Sequence, residues 1–148
     1  MPVKSKPDQY HSITPYLVVA GAARLIEFAA AAFGAQVTER LDGPNGSVGH
    51  AELRIGDSVV MLADGHGGRA PMPCMLHLYV DDADATYQRA LAAGATSVEP
   101  PADKFYGDRG GLVRDPGGNL WWIATHIEDV PPDELRRRAE AAMRGAGD

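Results

Sequence analysis

The sequence predicts an α+β fold built from two similar modules, each with the order strand, helix, strand, strand, strand. This order of apolar, amphipathic and alternating segments occurs twice along the chain. A glycine ends the helix of each half in a similar setting, Phe33-Gly34-Ala35 and Ala93-Gly94-Ala95. A tight turn precedes the last strand of each half, at Gly56-Asp57-Ser58 and at Gly117-Gly118-Asn119. Because a half of roughly 50 to 55 residues cannot bury a good core alone, we expect the halves to pack against each other or against a second chain.

The first module begins with a strand over residues 12–19, where Pro15 indicates an edge or irregular strand. Residues 22–33 are rich in alanine and carry apolar side chains at helical spacing, so they predict a helix that ends at Gly34. Turn residues and alternating segments predict the remaining three strands, at residues 35–40, 48–55 and 58–63.

The second module carries the clearest local signals. Asp82 is a candidate N-cap for a helix that runs to Ala93. Residues 100–110 predict a loop, and Pro116 with the glycines after it predicts a turn over residues 115–119. The strands of this module are expected at residues 74–80, 95–98, 111–114 and 120–125.

We interpret the 148 residues as one domain, since this length suits a single domain with a real core. The internal repeat comprises residues 12–64 and 73–126. A charged helix is expected over residues 131–143, with two prolines before its first turn and acidic residues near its positive end.

Composition excludes several classes of function. The formal net charge is −6, which argues against nucleic acid as a partner, because phosphate contacts need clustered Lys and Arg. Cys74 is the lone cysteine, so no intramolecular disulfide is possible, which fits a reducing cytoplasm. No stretch approaches the roughly 18 apolar residues of a membrane span, and we do not expect the polar residues 1–9 to act as a signal peptide.

The paired βαβββ halves and their helix ends resemble the vicinal oxygen chelate superfamily, which contains glyoxalase I, extradiol dioxygenases and bleomycin-resistance proteins. The segments at 106–109, 114–116 and 121–129 resemble its PhnB-like branch. The resemblance implies curved mixed sheets that enclose a cavity for a small-molecule ligand, and a homodimer. In metal-dependent members it also implies a divalent ion held by His, Gln or Glu on the first and last strands of each half.

This chain departs from that metal pattern. The positions that correspond to the family's ligands are Thr14, Met61, Met75 and Trp122. Thr, Met and Trp do not form a site for a hard divalent cation, so we expect no metal cofactor. A shift of two residues would instead place Tyr16 and His77 at the ligand positions, since they lie on the same strand faces, and would keep a displaced divalent metal site possible.

Six residues are candidates for lining the ligand pocket, and each has a purely structural role as its alternative. His77 is either a pocket residue or a core histidine, and His50 is either a ligand or a solvent-facing side chain. Trp122 lines the cavity or fills it, while Trp121 packs in the core. The loop motif at 106–109 could clamp a polar group or merely stiffen the loop. The predicted site is therefore Tyr16, His50, His77, Tyr106, Arg109 and Trp122.

Two functions follow from these features. The first is a small-molecule-binding protein of the glyoxalase/bleomycin-resistance type that works without the usual metal centre. The second is a metal-dependent lyase or dioxygenase of the same superfamily that uses a displaced ligand set, with His77 or His50 among the ligands.

Overall fold

The computed structural model describes residues 2–146 and confirms the α+β class and the paired modules. The first module comprises β1 (Tyr16–Val19), α1 (Ala22–Phe33), β2 (Gln36–Asp42), β3 (Val48–Ile55) and β4 (Ser58–Asp64). The second comprises β5 (Met75–Tyr79), α2 (Ala83–Ala92), β6 (Thr96–Asp103), β7 (Asp108–Arg114) and β8 (Leu120–His126). The chain continues into α3 (Pro132–Ala146).

The two sheets have the same topology. Their strand orders are β1-β4-β3-β2 and β5-β8-β7-β6, and in each the first pair is parallel and the others are antiparallel. Next to β1, the Met72 N–H donates to the Val18 carbonyl at 2.9 Å, in an antiparallel bridge. Neither four-stranded sheet closes into a barrel within residues 2–146.

The helices explain why two small modules are stable together. Leu25, Phe28 and Ala29 of α1 are buried in one core that also contains Tyr87 of α2 and Trp121 of β8. The core is thus shared between the halves, as expected for modules too small to bury a core alone.

Helix ends follow the sequence signals. Asp82 caps α2 by accepting a hydrogen bond from the Ala85 N–H at 3.0 Å, as predicted. Gly34 ends α1 in the left-handed region at φ +67°, where its N–H reaches back to the last-turn carbonyls. Among the helices of residues 2–146, none is long and apolar enough to cross a membrane.

The largest errors in the predicted segments fall at the start of β1 and in the loop before β7. β1 begins at Tyr16 rather than at residue 12, so Pro15 precedes the strand. The predicted loop 100–110 is confined to residues 104–107, because β6 continues through Pro100 and Pro101. Prolines are tolerated there because β6 is an edge strand whose pairing with β7 shifts register between Glu99 and Ala102.

Asp64, the last residue of β4, ties three parts of the first module together. Its Oδ1 accepts the N–H groups of Gly21 and Ala22 at 2.8 and 3.0 Å, and its Oδ2 accepts that of Val48 at 2.7 Å. Burial raises the pKa of Asp64, but the three backbone donors outweigh it, so the pKa lies below the ordinary value. This carboxylate caps α1, whose N-cap glycine has no side chain to do so.

Replacing Asp64 with alanine is expected to lower the free energy of unfolding by about 2 kcal/mol at neutral pH, because three N–H groups lose a charged acceptor. A lowered folded-state pKa contributes stability that is present above the unfolded pKa near 3.8 and is lost as pH falls through the folded value. The difference in unfolding free energy between Asp64→Ala and wild type should therefore become smaller in acid. Urea unfolding between pH 3 and 7 measures this, with Asp8→Ala on the exposed N-terminal segment as control; a pH-independent difference would contradict it.

Candidate functional site

Strand alternation brings aromatic and titratable side chains to the face of the second sheet that lies away from α2. Leu76 and Leu78 of β5 pack into the core, whereas His77 and Tyr79 point the other way, and Tyr79 is 59% exposed. The parallel pairing with β8 places His77 directly beside Trp122. We call this surface the Asp108 face; it is formed by His77, Tyr79, Asp108, Trp122 and His126.

Asp108, the first residue of β7, is the centre of this face and is only 2% exposed. The Tyr79 hydroxyl donates to its Oδ2 at 2.8 Å, and the Nδ1 of His126 lies 2.9 Å from its Oδ1. The Nε2 of His77 is 3.8 Å from the same Oδ2, and the His77 and Tyr79 rings are 4.8 Å apart. One buried carboxylate therefore holds two neighbouring strands' polar side chains in a fixed arrangement.

The carboxylate also affects two tyrosines. The hydrogen bond from Tyr79 to Asp108, together with burial and the negative charge, raises the pKa of Tyr79. Burial and the Asp108 charge raise the pKa of Tyr106, against a smaller lowering effect of Trp122. Both phenols therefore remain protonated at neutral pH and act as hydrogen-bond donors rather than as bases.

The side chain of Trp122 is only 8% exposed, which is less than we expected for a residue that lines a ligand pocket. The ammonium of Lys104 lies 5.1 Å from the centre of its ring, in a cation–π contact from the loop between β6 and β7. Its buried Nε1–H has no hydrogen-bond acceptor of normal geometry within residues 2–146. Burial raises the pKa of Tyr106, and a hydrogen-bonding contact from Trp122 lowers it in part, so this buried N–H is directed at the loop at 104–107 rather than at solvent.

Arg109 does not join the other predicted residues. It follows Asp108 in β7, so its side chain points to the opposite face, where it binds Asp84 of α2 at 2.9 Å and Asp103 at 3.1 Å. These two carboxylates raise the pKa of the Arg109 guanidinium above its ordinary value. The side chains of the motif at 106–109 therefore lie on two faces of the sheet. The motif residue that belongs to the Asp108 face is the buried Asp108, which was not among the six predicted residues.

The first sheet carries a related cluster on its own open face. Tyr16 lies beside Met61 in the β1–β4 pairing, and its hydroxyl is 3.1 Å from the Nδ1 of His50. The Nε2 of His50 is 3.1 Å from the Oε2 of Glu52, which is 5% exposed. We call this surface the Glu52 face; it is formed by Tyr16, His50, Glu52 and Met61. Glu52 was missed in the sequence because alternating charged residues on β3 are typical of a solvent-facing side.

The residues present do not fit the divalent centre that the family resemblance implies. Strand pairing sets Tyr16 against Met61 and His77 against Trp122, so His77 is the one common metal ligand among these four positions. Thr14 precedes β1, and Met75 pairs with Leu120. Within residues 2–146, no group of three His, Cys, Asp or Glu side chains is arranged to hold an ion.

His126 is expected to keep its proton to a higher pH than an ordinary histidine. Hydrogen bonds to Asp129, at 2.7 Å, and to Asp108 raise its pKa above the usual 6.5. The stabilisation from these contacts is therefore complete below pH 6.5 and is lost as pH rises through the raised value. A titration of the His126 ring followed by NMR should show this, and Asp129→Asn should lower the pKa; an ordinary pKa in wild type would contradict the arrangement.

Comparison with known proteins agrees with this architecture. Residues 9–123 match the family model of the glyoxalase/bleomycin resistance protein/dioxygenase superfamily. The chain therefore belongs to that superfamily, which confirms the resemblance predicted from the repeat.

Similar proteins support the same placement. An uncharacterised protein of Mycobacterium bovis is 41% identical over 148 aligned residues, covering 93% of this chain and 95% of that protein. The crystal structure of TioX from Micromonospora sp. ML1 is 26% identical with a TM-score of 0.64, covering 82% of this chain and 100% of that one. The PhnB protein of Bacillus cereus shares the fold at 18% identity and a TM-score of 0.62, covering 78% of this chain and 99% of that one.

Proposed function

We propose that this chain is a small-molecule-binding protein of the superfamily that holds an aromatic ligand on the Asp108 face without a metal centre. The observation that carries the proposal is the open aromatic surface around a buried, fully engaged carboxylate. His77 and Tyr79 offer rings and polar edges to solvent; Asp108 accepts a hydrogen bond from Tyr79, and the His77 ring lies 4.8 Å from that of Tyr79. Trp122 packs beneath the loop at 104–107, where the Lys104 ammonium lies over its ring.

The side chains of the Asp108 face can bind a ligand but provide few groups for catalysis. Tyr79 and Tyr106 are protonated donors, and the His77 ring can stack or accept a hydrogen bond. An aromatic molecule would stack beside the His77 and Tyr79 rings and direct a polar group at the ring nitrogens of His77. Such a site has the apolar surface and few convergent polar groups typical of ligand sites.

Fluorescence titration tests the proposal with a panel of aromatic natural products that includes metal-free bleomycin. At least one compound should quench tryptophan emission in a saturable way. Trp122→Phe should remove most of that response, while Trp121, buried and bonded to Asp115, supplies the remaining signal. His77→Ala should weaken binding about tenfold, since a stacked aromatic contact contributes about 1 kcal/mol beyond its buried area.

The alternative is a metal-dependent lyase or dioxygenase with a displaced ligand set, and the observation that favours it is His77, a common metal ligand on the open face of β5. Elemental analysis of protein purified without chelator separates the two. Stoichiometric Fe, Mn, Ni or Zn that is lost together with activity in His77→Ala would establish the enzyme. Turnover of the methylglyoxal–glutathione adduct by metal-free protein would refute metal-free binding as the function.

The proposal includes a homodimer in the cytoplasm. Strand β2 is an edge strand whose residues are all exposed, and exposed edges are commonly covered by a partner. The lone Cys74 is compatible with a reducing compartment. Light scattering on the purified chain should give twice the mass of 15.7 kDa.

A further inference from the structure

The N-terminal segment, residues 2–15, covers the Glu52 face and is held there chiefly by side chains. The Tyr10 hydroxyl donates to the Oε1 of Glu52, and the Arg54 guanidinium donates to the Oε1 of Gln9 at 2.5 Å. In the part of the chain described, the backbone of residues 2–14 makes no backbone hydrogen bond to a strand; the first is from the Met61 N–H to the Pro15 carbonyl. The segment is therefore attached at two side-chain points rather than paired along its length.

The backbone at the first attachment point is strained. Gln9 has φ +71°, in the left-handed region that non-glycine residues rarely adopt. Such strain persists only where surrounding contacts impose it. At Gln9 those contacts are its own bond to Arg54 and the insertion of the next side chain, Tyr10, against Glu52. Release of Tyr10 from Glu52 would let the backbone of Gln9 return to an ordinary conformation.

The surface beneath Tyr10 is organised to receive a hydroxyl group. Glu52 is buried, its Oε2 is engaged by His50, and His50 is in turn engaged by the Tyr16 hydroxyl. Its Oε1 is left for one donor, and that donor is the Tyr10 phenol. A buried carboxylate requires such a donor, because an unsatisfied charge is costly in a low-dielectric setting.

Space for a small molecule lies beside this contact. A cavity of about 680 Å³ separates the segment from the sheet. The segment contributes Lys6, Pro7 and Tyr10 to its lining, and the sheet contributes Glu39, Glu52 and Met61. Its size is within the range of sites for drug-sized ligands.

We propose that the Glu52 face is a second binding site, for a small molecule that carries a phenol, and that Tyr10 occupies it until such a ligand displaces it. The ligand's phenolic hydroxyl would donate to the Glu52 Oε1, and its ring would lie in the cavity against Met61. Tyr10 thus acts as an internal competitor, and removing its side chain empties the position that the ligand takes. This site is separate from the Asp108 face and does not depend on the function proposed for that face.

Calorimetric titration of the full chain with p-cresol, which copies the tyrosine side chain, tests this inference. Tyr10→Ala should bind p-cresol about tenfold or more tightly than wild type, because the competitor is gone. In Tyr10→Ala, toluene should bind about tenfold or more weakly than p-cresol, as expected for one hydrogen bond to a charged acceptor. Tyr10→Phe should show a smaller gain than Tyr10→Ala, since its ring still competes.

Three control variants test whether the expected gain in p-cresol affinity arises at the Glu52 face. Glu52→Gln in the Tyr10→Ala background should abolish most of the preference for p-cresol over toluene. Val3→Ala, in the exposed part of the same segment, should behave as wild type, and Asp84→Asn, on the helix side of the second sheet, should leave p-cresol affinity unchanged. Equal affinity of wild type and Tyr10→Ala for p-cresol would overturn the proposal, as would equal binding of p-cresol and toluene by Tyr10→Ala.

Discussion

Replacing Asp115 with alanine should be among the most destabilising single changes in this protein, lowering the free energy of unfolding by about 4 kcal/mol. Asp115 is 3% exposed, and its carboxylate accepts the backbone N–H groups of Gly117 and Asn119. It also accepts the Trp121 Nε1–H at 2.7 Å and the Asn119 side-chain amide at 3.1 Å. Alanine would leave these donors without an acceptor beside the core.

The loss should extend beyond the turn itself. The Asn119 side chain accepts the Cys74 N–H at 3.1 Å, so the same turn positions the start of β5. Gly117 approaches Val19 of the first module so closely that a Cβ there would lie 3.1 Å from a Val19 methyl group. Destabilising this turn therefore weakens the contact between the modules as well as the β7–β8 hairpin.

Thermal unfolding followed by circular dichroism would measure the effect, and a decrease in Tm of roughly 10 °C is expected. Asp57→Ala is a matched control in the corresponding turn of the first module. The Asp57 carboxylate is exposed and accepts a hydrogen bond from the neighbouring Ser58 hydroxyl, so the change should stay within about 0.5 kcal/mol. Equal effects of the two substitutions would show that the buried network around Asp115 contributes nothing.

The second large effect is expected for Asp108→Asn, which keeps the shape of the side chain and removes its charge. The pKa of Tyr79, now raised by Asp108, should fall towards its ordinary value. The pKa of His126 should fall as well, because one of its two carboxylate partners is lost. Stability should decrease by about 2 kcal/mol, since Asn cannot accept at both oxygen positions.

Ligand binding on the Asp108 face should weaken about tenfold or more in this variant, because the Tyr79 hydroxyl loses its charged acceptor and the ring beside His77 is no longer held in place. Asp84→Asn is the control, since Asp84 binds Arg109 on the opposite face of the same sheet. It should leave affinity and both pKa values unchanged. If Asp84→Asn impaired binding as strongly as Asp108→Asn, the ligand would have to contact the Arg109 side of the sheet instead.

Much of the fold could be predicted because its signals are local. Glycines at helix ends, an aspartate before α2 and the Asp-Pro-Gly-Gly turn specify where elements stop, and apolar periodicity specifies their type. The repeat of these signals then predicts the architecture. The prediction failed at β6, where proline suggested a loop, because an edge strand with shifted register does not need the hydrogen bonds that proline lacks.

The sequence by itself determined the paired modules, the apolar side of β3, and which residue types stand at the positions that correspond to the family's metal ligands. Only the tertiary structure decided which polar residues meet. Asp108 and Arg109 are adjacent in the chain yet face opposite sides of the sheet, and Tyr10 reaches Glu52 across 42 positions. Strand register and the path of the N-terminal segment set those contacts, and both depend on packing between distant residues that no local pattern encodes.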